Sequence, residues 1–220
     1  KTERRSKMEI VIPVVFGLES VTKQELEDFG YDKSTITADN GQVVLKVQDE
    51  DISRAVAICN IRLRTAERVL LKIDEGMAKT FDGLFDLTSG VEWEKYIPDG
   101  WAFHVNGHSR KSDLFAVPSC QGIIKKSIVK RLMKVNDIPD GRQLPEDELS
   151  GIIKIVFSIV NNKVSFLIDT SGDGLHKRGY RPLSHSAPIK ETLAAGLVML
   201  SRWTPFRDEA LIDPMCGSGT

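Results

Sequence analysis

The chain has 220 residues, 41% hydrophobic and 28% charged, an ordinary globular composition that excludes a disordered or fibrous chain. Its net charge of −1 conceals an asymmetry. Residues 101–135 carry seven Lys/Arg (Arg110, Lys111, Lys125, Lys126, Lys130, Arg131, Lys134) against Asp113 alone, so this window is +6 and the rest −7, which suggests a localised polyanion site.

Met8–Val15 is an Ile/Val-rich run suited to a buried strand. Leu18, Val21, Leu26 and Phe29 then recur at helical spacing, with Gly30 where a C-terminal glycine belongs. Asn40-Gly41 between two β-prone runs predicts a hairpin, with Val43, Leu45 and Val47 on the face toward the helices. Asp49 or Asp51 is placed to cap a helix whose apolar side carries Ile52, Val56, Ala57 and Cys59, and Arg68–Ile73 closes the series as a strand. The order βαββαβ is that of the ferredoxin-like split βαβ fold.

Phe81, Leu84, Phe85 and Thr88 predict another helix, Trp101–Val105 a strand, and Asn106-Gly107 the start of a loop carrying Ser109-Arg-Lys-Ser112. From Pro118 to about Val135 a helix turns Ile124, Ile128, Leu132 and Val135 inward, and Lys126, Lys130 and Lys134 form a stripe along one of its faces. Ile152–Val160 and Lys163–Ile168 are strands joined by an Asn161-Asn162 turn. Asp169–Ala187 has the composition of a connector. Pro188 suits the first position of a helix to Ser201 with Leu193, Leu197 and Leu200 at helical spacing, and Ala210–Asp213 reads as a short strand running into Pro214-Met-Cys-Gly-Ser-Gly-Thr220.

No apolar run approaches the roughly 20 residues of a membrane-spanning helix. Lys1–Lys7 does not open a secretory signal, and the chain is expected in the cytoplasm. Cys59, Cys120 and Cys216 are too dispersed for a disulfide framework or a Cys-x-x-Cys zinc site. His108, His176 and His185 suggest no metal site, His104 is expected as a partly buried core residue, and Trp93, Trp101 and Trp203 as core. Cys216 is read as a small loop residue and not a nucleophile.

A strand ending in Asp and followed by Gly-x-Gly leaves three readings of the last segment. A phosphate-binding loop would need a Gly-Lys-Ser/Thr ending, which Gly219-Thr220 lacks; a dinucleotide fingerprint would need a third glycine; a bare turn is the third. The whole segment Leu211-Ile-Asp-Pro-Met-Cys-Gly-Ser-Gly-Thr220 resembles motif I of S-adenosylmethionine-dependent RNA methyltransferases. More narrowly, it resembles that of the THUMP-containing bacterial ribosomal RNA guanine-N2 methyltransferases. Phe16-Gly-Leu-Glu-Ser20, Ser109-Arg-Lys-Ser112, and Leu175-His-Lys-Arg-Gly-Tyr-Arg181 with Ala187-Pro-Ile-Lys-Glu-Thr-Leu-Ala194 resemble further segments of that family, in the same order.

The resemblance implies an α+β chain: a ferredoxin-like domain over residues 8–74, a THUMP RNA-binding domain over 75–168, a linker over 169–187 and the start of a Rossmann-like methyltransferase domain over 188–220. It implies that Asp213, Pro214, Gly217, Ser218 and Gly219 border the methionine part of S-adenosylmethionine, helped by Lys190 and Glu191. The family's Asn-Pro-Pro-aromatic signature lies beyond Thr220, so no catalytic residue is named in this chain, and the 220 residues alone are expected neither to methylate RNA nor to bind the cofactor tightly. RNA contacts are expected from Arg110, Lys111, Lys125, Lys126, Lys130, Lys134, Lys177 and Arg178. A lysine stripe is ordinarily a solvated helix face; the local +6 and the adjoining Arg110-Lys111 loop favour phosphate contact. The rival readings are a DNA adenine-N6 methylase and a binding module without chemistry.

Overall fold

The computed structural model describes residues 7–139, 142–179, 188–204, 206 and 208–216. The chain divides into two compact units, one of residues 1–71 with 170–220 and the other of residues 72–169.

The first unit is built from β1 (Lys7–Pro13), α1 (Glu19–Asp28), β2 (Ile36–Asp39), β3 (Gln42–Gln48), α2 (Ile52–Arg62) and the first residues of β4 (Leu70–Met77). β3 pairs antiparallel with both β1 and β2, giving the order β2-β3-β1-β4 that the βαββαβ pattern requires. Val43, Leu45 and Val47 are buried as the strand alternation demands, together with Ile10, Ile12, Leu26, Ala55 and Cys59. On the other face Lys46 is 3.3 Å from Glu9, its register partner on β1. Only Gly41 of the Asn40-Gly41 turn has positive φ, +73°. Its N–H donates to the Glu19 carboxylate at 2.8 Å, as does Gly17 N–H at 2.9 Å; these backbone bonds, Gly41's first, hold the Glu19 carboxyl below its usual range.

α2 differs from expectation at two points. Asp49–Asp51 form a 3₁₀ turn, and Asp51, at the N-cap position, makes no side-chain cap bond. The buried positions are Ala55 and Cys59, flanked by half-buried Ile52 and Val56, whereas Ala57 is exposed. Positions 52, 55, 56 and 59 follow the i, i+3, i+4, i+7 spacing of a core-facing helix, and 57 falls outside it. Burial pushes the Cys59 thiol up to about 12. Glu25, wholly buried on α1, accepts from Arg64 N–H (3.1 Å), Arg64 Nε (3.0 Å), Thr65 N–H (3.2 Å) and Thr65 Oγ1 (2.6 Å), tying the segment after α2 to α1.

The second unit contains α3 (Phe81–Gly90), β5 (Trp101–Arg110), α4 (Val117–Val135), β6 (Asp147–Val160) and β7 (Lys163–Asp169). β6 pairs in parallel with β5 and antiparallel with β7. Asn161 and Asn162, both at positive φ (51° and 66°), form the two-residue turn from β6 to β7. α3 and α4 cover a core of Leu84, Trp93, Phe103, Ile124, Ile128, Phe157 and Phe166, in which Trp93 and Phe166 meet edge to face at 5.6 Å.

β5 does not stop at Asn106-Gly107 but runs on to Arg110. A Cβ at Gly107 would lie 2.2 Å from the Phe157 carbonyl oxygen and 2.5 Å from its ring, so this glycine admits a neighbouring strand and breaks none. β6 likewise begins at Asp147, before the expected Ile152; its register against β5 breaks between Asp147, paired with Trp101, and Ile152, paired with Ala102, and a Cβ at the intervening Gly151 would meet the Trp101 ring at 2.3 Å. Val135 is exposed, beyond the last inward turn of α4.

Beyond Thr170 the chain rejoins the first unit. Thr170 and Ser171 bond to Val69, and Leu175 enters that unit's core. α5 (Glu191–Leu200) starts three residues after Pro188, with Lys190 in extended conformation as its N-cap. Its buried positions are Thr192 and Gly196, where a Cβ would strike Leu18 at 2.5 Å; Leu197 and Leu200 are exposed. Ala210–Asp213 is exposed and forms no strand, having no ladder partner among the described residues.

Candidate nucleic-acid interface and cofactor loop

α4 sorts its residues by helical phase. Ile124, Ile128 and Leu132 point into the second unit's core, while Lys126, Lys130 and Lys134 stand exposed one turn apart. The Lys130 ammonium lies 5.8 Å from the Phe85 ring centre, and Lys126 and Lys134 have no ion-pair partner among the described residues. Lys125 is placed differently, 5.5 Å above the Phe103 ring and 4.0 Å from Glu146. Arg131 is committed to the fold: Nε and Nη2 donate to the two oxygens of Glu94 at 2.8 and 2.6 Å, and Nη1 to Ser89 O at 2.8 Å. That hydrogen-bonded pair lowers the Glu94 carboxyl and raises the Arg131 guanidinium from their ordinary values.

Beside this helix the edge of β5 and the N-terminal half of α4 enclose a cleft of about 430 Å³. Its walls include His104, Asn106, Pro118, Gln121, Gly122 and Lys125. Gln121 Nε2 donates to Val105 O, satisfying a carbonyl on the strand edge. His104 is not a core residue. Strand alternation puts it on the exposed side, 3.7 Å from Glu148. The end of β5 and the turn after it present Arg110 and Lys111, both exposed and without an ion-pair partner among the described residues.

The residues expected at the cofactor lie in the first unit. The Asp213 carboxylate accepts Met215 N–H at 2.9 Å and so fixes the turn that leads into the glycine loop. Asp213 and Pro214 are exposed, whereas Gly217, Ser218 and Gly219 lie outside the described residues. Lys190 Nζ donates to Glu67 Oε2 at 3.0 Å and Thr192 Oγ1 to Glu67 Oε1 at 2.6 Å, so one carboxylate receives two groups from the start of α5; Glu191 stands half-buried between them. Burial raises the Glu67 carboxyl, but the bonds from Thr192 and Lys190 outweigh it and leave the group below its usual range. Glu67 carried no signal in the sequence, because its partners are more than a hundred residues away.

The two connector cations diverge. Lys177 is exposed, while Arg178 donates to the carbonyls of Leu175 (2.7 Å), Asn60 (2.9 Å) and Leu63 (2.6 Å). Its guanidinium thus closes the C-terminal end of α2, where orphan carbonyls and the helix dipole favour a cation. Among the described residues no group of three His, Cys, Asp or Glu could hold a metal ion, and no helix is long and apolar enough to cross a membrane.

Comparison with known proteins divides the chain in the same order. Residues 9–70 match the RlmL ferredoxin-like domain, residues 78–140 the THUMP domain and residues 178–220 the family described as RMKL-like, methyltransferase domain. The chain is 41% identical to YpsC of Bacillus subtilis (strain 168) over 220 residues, 97% of the chain and 52% of that protein. It is 34% identical over 158 residues to the ribosomal RNA large subunit methyltransferase K/L of Colwellia psychrerythraea, covering 71% of the chain and 21% of that protein. It is 28% identical over 216 residues to the tRNA (guanine(6)-N2)-methyltransferase of Methanocaldococcus jannaschii, covering 97% and 54%. The crystal structure of SMU.472 complexed with SAH superposes with a TM-score of 0.84 at 39% identity, covering 97% of this chain and 53% of that one. The chain therefore spans about half the length of YpsC, the tRNA methyltransferase and SMU.472, and about a fifth of the K/L methyltransferase.

Proposed function

We propose that the chain, whose segments match the RlmL ferredoxin-like, THUMP and RMKL-like methyltransferase domains, is the RNA-holding part of a THUMP-containing RNA methyltransferase that transfers a methyl group from S-adenosylmethionine to guanine N2 of ribosomal RNA in the cytoplasm. The observation that carries this reading is the coincidence of the THUMP match with the exposed stripe of Lys126, Lys130 and Lys134 on α4. Both the K/L and the archaeal relative are named for methylating RNA, which favours RNA over a DNA adenine target. The domain division over 8–74, 75–168, 169–187 and 188–220 belongs to the same reading.

The chemistry assigns different work to the two units. When bound, S-adenosylmethionine supplies an electrophilic methyl group. The Asp213 turn and the glycine loop after it suit that ligand: an exposed carboxylate can accept the methionine amino group, and glycines allow close backbone approach. Guanine N2 is a poor nucleophile because its lone pair is delocalised into the ring. Rate must come from positioning, and the target base has to leave its stack. Lys126, Lys130 and Lys134 grip phosphate and fix the register of the RNA without reading sequence. Glu67, through Lys190 and Thr192, holds the helix that precedes the cofactor loop.

The test uses protein extended to the relatives' full length, with isotopically labelled cofactor and ribosomal RNA, transfer RNA or DNA as acceptor. Label in RNA supports the reading. Label in DNA alone, or none with RNA bound, refutes it.

A further inference from the structure

The loop from β5 to α4 holds an aromatic side chain that the fold leaves open. Phe115 is 80% exposed, yet its backbone neighbours are fixed. Lys111 is held at φ +50°, a conformation uncommon for a long side chain and found where surrounding bonds over-determine the backbone. Ser112 Oγ donates to Arg110 O at 2.9 Å and accepts Asn162 N–H at 3.0 Å. Asp113 N–H donates to Asn162 Oδ1 at 2.8 Å, and Asn162 Nδ2 donates to Asp113 Oδ2 at 3.0 Å. Leu114 is buried, its carbonyl receiving Cys120 Sγ at 3.7 Å. α4 begins at Val117. The ring is therefore presented by an anchored loop, and ordering that loop for a ligand costs little.

The charge around it narrows the occupant. Arg110 and Lys111 are exposed with no ion-pair partner among the described residues, and Asp113, the only acid on the loop, is occupied by Asn162. Phe16 offers a contrast: it is 76% exposed, but the charged group on its loop is the carboxylate of Glu19. An exposed aromatic four and five residues after two exposed cations suits a nucleobase with its flanking phosphates. An apolar protein partner would match the ring and leave the cations unanswered.

Resting on the RNA reading above, we propose that Phe115 is a stacking platform for one unpaired RNA base, with Arg110 and Lys111 on the phosphates beside it. Every base has a π-face, so the platform selects single-stranded RNA over duplex without selecting sequence.

The 220-residue chain is titrated with a labelled 12-nucleotide single strand and with the matching duplex at one salt concentration. Phe115→Ala is expected to weaken single-strand binding by about 5- to 150-fold, the range for losing one aromatic stack, and to leave duplex binding unchanged. Phe115→Trp retains binding, Phe16→Ala is neutral, and ultraviolet irradiation crosslinks RNA to the tryptic peptide Ser112–Lys125. Because the ring is exposed, the melting temperature of Phe115→Ala stays that of the parent, which separates loss of binding from loss of fold. If the parent binds RNA and Phe115→Ala changes nothing, or weakens both forms equally, stacking is overturned and the RNA reading stands. If the parent binds neither form, the RNA reading falls and stacking falls with it.

Discussion

Replacing Lys126, Lys130 and Lys134 together by Gln removes three exposed cations from one face of α4. Each lysine that neutralises a phosphate releases a counterion, worth about 0.7 in the log–log salt slope for single strands and about 0.9 for duplex. Three contacts therefore flatten the slope by about 2.1 to 2.7, and a fourfold rise in salt should weaken the parent about 20- to 40-fold more than the variant. The fold should tolerate the change. Lys126 and Lys134 support no ion pair among the described residues, and Lys130 has only a cation–π contact at 5.8 Å, worth about 0.5–1 kcal/mol at an exposed site. Arg131→Gln is the informative control, because its charge is already answered by Glu94: it should lower the melting temperature and leave the slope alone. Fluorescence anisotropy from 50 to 400 mM salt, with thermal melts of each variant, makes the comparison. An unchanged slope in a folded triple variant would return the stripe to an ordinary solvated surface.

Two further outcomes test how the first unit is held together. Glu25→Ala strands the buried Thr65 amide, at a cost of about 1–3 kcal/mol, or a melting temperature lower by about 2–12 °C, while the Thr65 hydroxyl keeps Thr22 Oγ1 at 2.7 Å; Glu25→Gln, which keeps an acceptor, should lose less. A melt unchanged in Glu25→Ala would show that the contact carries no stability. For Glu67, a carboxyl held below its unfolded value stabilises the fold above the usual carboxylate range, and that contribution disappears as pH falls through the lowered folded value. Amide-exchange protection of α5 should therefore fall on acidification in the parent and be pH-insensitive in Glu67→Gln. The same pH response in both would place the titration elsewhere.

Local chemistry was readable in the sequence wherever few structures satisfy it. Asn40-Gly41 and Asn161-Asn162 turn because two-residue hairpins need residues tolerant of positive φ, and α4 shows its two faces in the spacing of its isoleucines and lysines. The departures from expectation share a cause. Asn106-Gly107 reads as a loop start in the sequence, whereas the Phe157 ring and carbonyl, 50 residues away in the chain, require a residue without a side chain. Arg178, expected among the RNA contacts, gives its guanidinium to three carbonyls at the end of a distant helix and to that of Leu175 in its own turn. The start of α5 shifted from Pro188 to Glu191, where Lys190 and Thr192 on either side reach Glu67. In each case the deciding partner is remote in sequence, so neither periodicity nor turn chemistry contains it. Glu67 and Phe115 fall in the same class: an ordinary acid and an ordinary aromatic until the fold shows which is engaged and which is left open.

The most direct test of the central claim is the identity of the methylated nucleoside. Protein of the relatives' full length is incubated with S-adenosylmethionine and unmodified ribosomal RNA, the RNA is digested to nucleosides, and the digest is resolved by mass spectrometry beside a DNA substrate treated in the same way. N2-methylguanosine is expected from RNA, reduced when Asp213→Ala weakens the cofactor site and when the three α4 lysines are replaced by Gln. N6-methyladenine from DNA, with no N2-methylguanosine from RNA, would contradict it.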